Sequence, residues 1–120
     1  MTLSSVRHPR EGGYAHWRWQ RISAVITLLL MCYFSYLVVS SGPLGYMEAR
    51  SFVAIPHQGI SLGILVIVGL FHATLGVQMI IEDYVPFTSG RLALVMTTRV
   101  VFAIAALASL VSVGLVVGWI

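Results

Sequence analysis

The sequence has no lysine, one cysteine and very little charge. Charged residues fill 9% of its 120 positions, against roughly 25% in an ordinary soluble domain. Each shortage excludes something. With Cys32 alone, no disulfide can form within the chain, and a thiol in an apolar run reads as a buried structural residue. The basic residues are seven scattered arginines and the net charge is only +3, too little for a nucleic-acid surface. A secretory signal peptide is not expected, because the first apolar run, Ile22 to Val39, exceeds the roughly 7–15 residues of such a core. No internal repeat or low-complexity linker is evident, and the broken helices and inverted repeats of transporters are missing. What the chain has instead is apolar surface. Hydrophobic residues make up 58%, more than a domain of this length can hide from water, so lipid must solvate most of it.

A spanning helix needs about 20 mostly apolar residues. Three stretches qualify, at about 19–40, 59–81 and 92–118. The fold class expected is all-α: an integral, multi-pass membrane protein with three transmembrane helices. Residues 1–18 form an N-terminal segment and residues 19–120 the three-helix membrane unit. Ser40-Ser41-Gly42-Pro43 breaks the first span, and Tyr46 to Ala54 is a candidate interfacial helix before the second. Arg7, Arg10, Arg18 and Arg21 precede span one. Arg91 follows span two, and Arg99 lies in the first turns of span three. The first loop holds only Arg50, beside Glu48. The positive-inside rule therefore puts residues 1–18 in the cytoplasm and the C-terminus outside. In span three, Gly114 and Gly118 form a small-xxx-small pair with Ser109 and Ser112 nearby, the pattern of a helix-packing element.

Span two carries the chemistry. His72 precedes Asp83 by eleven residues, roughly 16 Å of helix, which puts it near the middle of the bilayer. An ionisable residue at that depth is costly and marks a functional site, although a neutral histidine bonded to a neighbouring helix is the plainer alternative. Gly69, Ala73 and Gly76 share its face at spacings of three and four. Helix packing is the commoner use of such a face, but it also admits a flat ligand. A mid-membrane histidine on a smooth face meets the requirement for an axial ligand to haem iron. His57 lies about 22 Å away along a helix, and His8 and His16 lie at or beyond the membrane edge, so a second ligand must come from another chain. His57 reads as an interfacial or packing residue. His72, Gly76, Met79 and Asp83 form one stripe running to the helix end, with Tyr84 one residue further round. Glu82 and Asp83 there oppose the helix dipole, so either solvent tolerates them or something other than helix stability retains them.

The stretch "HATLGVQMIIEDYV", residues 72–85, resembles the second-helix signature of the hydrophobic membrane anchor subunits of succinate dehydrogenase, respiratory complex II. That signature is a histidine, a glycine four residues later, and Asp-Tyr at eleven and twelve. "GGYAHWRWQRISAV" is similar to that family's approach to its first helix, and the resemblance covers most of the chain from Gly13. It implies a subunit that is not catalytic alone and belongs to succinate:quinone oxidoreductase in a bacterial cytoplasmic membrane. His72 falls on the haem b axial ligand and Gly76 on the signature glycine beside the haem. A companion cytochrome b subunit supplies the second ligand. Arg21 falls on an arginine near the haem propionates, and His16 is the further candidate for that neighbourhood. Tyr84 falls on the tyrosine that bonds a ubiquinone carbonyl, and Asp83 on its acidic neighbour in the proton network. The implied partners are the cytochrome b, iron–sulfur and flavoprotein subunits, membrane lipid and quinone. Relatives often carry a basic residue after Asp-Tyr-Val, where this chain has Pro86. The alternatives are a fumarate-reductase-type or menaquinone-using anchor, or a purely structural membrane partner.

Overall fold

A computed structural model describes residues 11–120, with side chains from residue 14. Four helices follow one another: α1 (Glu11–Ser40), α2 (Tyr46–Ala54), α3 (Pro56–Tyr84) and α4 (Thr88–Val117). Three of them, α1, α3 and α4, are long and apolar enough to cross a membrane. Each runs past its apolar stretch, because backbone hydrogen bonding continues into the polar ends where headgroups and water replace lipid. α1 thus begins at Glu11, ahead of the span expected from about residue 19.

Local chemistry sets the ends. At the end of α1, the Ser40 and Ser41 hydroxyls donate to the Leu37 carbonyl at 3.0 and 2.8 Å. Gly42 then takes φ 74°, a left-handed conformation that ends the helix, and Pro43 cannot resume it. Ile55 alone separates α2 from α3; it is extended, as a residue before proline must be, and Pro56 opens α3. Residues 85–87 join α3 to α4. There the Arg91 guanidinium donates twice to the Val85 carbonyl, at 3.1 and 2.9 Å, and braces the turn.

α3 lies in the middle. It packs against α1 on one side and α4 on the other, while α1 and α4 do not meet. Among the described residues Phe52 and Val95 are the only buried large apolar side chains, and long runs of Leu, Ile and Val face outward. Such a surface is stable only in lipid or against other membrane subunits. The chain is a multi-pass membrane protein.

Two expectations need correction here. Cys32 is exposed on α1, on the side turned away from α3, so lipid or a neighbouring subunit covers it, not this chain. Gly114 and Gly118 do not act as a pair against another helix. Gly118 is the left-handed cap of α4, with φ 79°. The chain turns back there, the Trp119 amide donates to the Gly114 carbonyl at 2.9 Å, and Ile120 lies against Gly114. The Trp119 ring then covers Gly59 of α3, where any side chain would also strike the Val53 carbonyl. Ser109 and Ser112 donate to carbonyls one turn back in their own helix.

Candidate functional site

The face that α1 turns towards α3 repeats at four- and three-residue steps through His16, Gln20, Ser23, Thr27, Leu30, Phe34 and Leu37. Its second half is apolar, and Phe34 meets Phe52 edge-on at 6.0 Å. Its first half is polar, inside a helix whose outer surface is apolar. Lipid would strand these groups without partners, so they turn inward.

At the centre of the polar half is Ser23, only 3% exposed. Its Oγ lies 3.1 Å from the Gln20 carbonyl and 3.0 Å from Nδ1 of His72. That is the one side-chain hydrogen bond of His72 among the described residues, and Nε2 is left free. One turn on, the Gln20 amide nitrogen lies 3.6 Å from where a Cβ on Gly76 would stand. The missing side chain of Gly76 thus admits α1. At Gly69 a Cβ would meet nothing, so the space on that side of His72 is open. Three buried polar atoms on the same face of α1 have no partner among the described residues: His16 Nε2, Gln20 Oε1 and Thr27 Oγ1.

Arg21 does not join this face. It is exposed, with its guanidinium 5.9 Å from the Trp17 ring centre, while Arg18 stands 5.8 Å from Trp19. Arg7, His8 and Arg10 lie outside the described residues. His57 is exposed at the other end of α3, and its carbonyl accepts from Ser61.

The end of α3 divides its acids between two faces. The Gln78 amide donates to Glu82 at 2.9 Å, and Gln78 Oε1 accepts from Arg99 of α4 at 3.0 Å. Glu82 is thereby tied to α4 through Gln78, an interhelical link that the sequence alone did not suggest. Asp83 makes no side-chain hydrogen bond among the described residues, and Tyr84 is 81% exposed. The structure therefore brings His72 and Gly76 against the α1 face that carries His16, and leaves Arg21, Asp83 and Tyr84 on outward surfaces.

Sequence reasoning missed Ser23 and Gln20. The signal was present in the spacing of His16, Gln20, Ser23 and Thr27, which marks a polar stripe within a spanning helix. No group of three or more His, Cys, Asp or Glu side chains able to hold a metal occurs among the described residues.

Residues 3–112 match the family model described as succinate dehydrogenase/fumarate reductase transmembrane subunit. The chain is 30% identical over 103 residues to the succinate dehydrogenase hydrophobic membrane anchor subunit of Rickettsia bellii, covering 86% of this chain and 82% of that protein. The protein of the same name from Rickettsia felis is 28% identical over 102 residues, 85% and 84% of the two chains. That from Rickettsia conorii is 26% identical over 94 residues, 74% and 71%. No solved structure matches.

Proposed function

The chain belongs to the succinate dehydrogenase/fumarate reductase transmembrane subunit family, and we propose that it supplies one axial ligand to haem b and one wall of a ubiquinone-reduction site. A membrane anchor subunit of succinate dehydrogenase works within a larger complex. The partners proposed here are a cytochrome b subunit with the second haem ligand, and the iron–sulfur and flavoprotein subunits docked at the cytoplasmic face of a bacterial inner membrane. The arginine bias supports placing the start of α1 and the end of α3 at that face.

The observation that carries the reading is His72, deep in α3, held through Nδ1 by a buried serine with Nε2 unengaged. The residues present fit haem: a free imidazole nitrogen, open space at Gly69, and orphaned polar atoms on the adjoining face of α1. When bound, haem supplies a one-electron carrier at mid-membrane depth. His72 would hold the iron, and Gly76 lets α1 close against α3 beside it. Arg21 and His16 are the basic groups for the propionates, Arg21 offering a planar cation to a carboxylate. At the end of α3 the Tyr84 hydroxyl donates to a quinone carbonyl and stabilises the charge that develops there on reduction. Asp83, exposed and unpaired, exchanges protons with the cytoplasm.

The test is a reduced-minus-oxidised spectrum of the membrane complex carrying His72→Ala. Loss of haem, or a change in its axial coordination, is expected. A stable complex with unchanged haem content and spectrum would show that His72 is only a packing residue.

A further inference from the structure

We propose that Ser23 is a positioning residue for His72: its hydroxyl, anchored on the Gln20 carbonyl, holds the imidazole as the Nδ1–H tautomer and presents Nε2 as the metal-binding nitrogen. This rests on the reading of His72 as an axial ligand.

The hydrogen count decides the direction. Ser23 Oγ carries one hydrogen and has two partners, at 3.1 and 3.0 Å. The Gln20 carbonyl can only accept, so the serine hydrogen goes to it. Nδ1 of His72 must then carry the other hydrogen and donate to Oγ, which leaves the Nε2 lone pair free. In the opposite arrangement Ser23 donates to Nδ1, Nε2 carries the hydrogen and cannot ligate, and the Gln20 contact contributes no bond. Only the first arrangement satisfies both contacts. Burial makes the choice matter, since an unmade bond at a site 3% exposed has no water to replace it.

The bond to Gln20 also fixes the serine. A hydroxyl bonded to the carbonyl three residues back is held in one rotamer, so its lone pairs stay aimed across the seam. The imidazole is otherwise free to turn about a broad, two-fold torsion. Ser23 stops that rotation and sets the ring plane. The closeness of the helices is part of the device: with Gly76 bare, Gln20 and hence Ser23 approach α3. Donation from Nδ1–H makes Nε2 a stronger electron donor to a metal, and a stronger donor favours the oxidised, more highly charged iron.

The experiment compares Ser23→Ala, Ser23→Thr and His72→Ala in the assembled complex. Three readouts are haem per complex, the low-spin ferric resonance spectrum and the haem midpoint potential. Partners of this kind change ligand affinity about 10- to 100-fold. A tenfold loss felt by the ferric state alone raises the midpoint by about 59 mV. Ser23→Ala is expected to show that rise and a broadened resonance, and Ser23→Thr, which keeps the hydroxyl, to restore both. Ser23→Cys fills nearly the same volume with a poor acceptor and should follow alanine. Wild-type potential and resonance in the alanine and cysteine variants, with haem lost in His72→Ala, would overturn the role of Ser23 and leave the ligand assignment standing. Haem retained unchanged in His72→Ala would overturn both.

Discussion

The two ends of the α3 layer are built on opposite plans. Around the start of α3 the chain mostly closes on itself, with Gln58 Oε1 the one buried polar atom there that finds no partner among the described residues. Trp119 covers Gly59, Ile120 covers Gly114, Phe52 meets Phe34, and Arg50 Nε donates to the Val116 carbonyl at 2.6 Å, a cation at the C-terminus of α4 where the helix dipole favours one. From the middle of α3 to its last turn, the chain is left incomplete. Buried polar atoms of His16, Gln20 and Thr27 lack partners, His72 uses one ring nitrogen of two, and Tyr84 stands almost fully exposed. The first end is closed mainly by this chain; the second leaves polar groups that this chain does not pair. Small residues serve both ends differently, since Gly59 is filled by this chain while Gly69 faces open space.

That contrast is open to attack from the self-contained end. The largest effect expected there is at Gly59. A side chain would meet the Val53 carbonyl, which is backbone and cannot swing aside, and the Trp119 ring. Gly59→Val should cost about 1–3 kcal/mol as overpacking, read as a lower thermal midpoint of the purified complex. Haem content per surviving complex and its spectrum should not change. A smaller effect is expected at Gly118, whose left-handed backbone disfavours a side chain. Gly118→Ala should cost about 1 kcal/mol by the same assay and leave quinone kinetics untouched. If either variant altered the haem spectrum at wild-type stability, the division of labour between the two ends would break down.

The spans were legible because long apolar runs and breakers such as Ser40-Ser41-Gly42-Pro43 act locally, and Tyr46–Ala54 is helical as its pattern suggests. His72 stood out for the same reason, as one ionisable group in an apolar run. Ser23 did not, because a serine among small residues gains meaning only from what lies across the seam. Cys32 was misread because apolar neighbours in sequence do not distinguish burial in protein from burial in lipid. Gly118 was misread because one spacing of glycines serves both helix packing and helix ending. A glycine just past the last apolar turn is the signature of the second use. Glu82 lies four residues after Gln78, a readable helical pair, but the link onward to Arg99 depends on how α4 folds back.

The account is tested most directly at Tyr84. Its side chain makes no hydrogen bond in the chain among the described residues and is 81% exposed, so Tyr84→Phe removes one oxygen at no expected cost to folding. Succinate-to-quinone turnover should fall about a hundredfold, the cost of roughly 3 kcal/mol for losing a donor to developing negative charge. Succinate oxidation with an artificial acceptor at the soluble subunits, haem content and thermal stability should all stay at wild-type values. Full quinone reductase activity and unchanged sensitivity to quinone-site inhibitors in Tyr84→Phe would make Tyr84 an interfacial anchor and contradict a quinone site at this end of the chain.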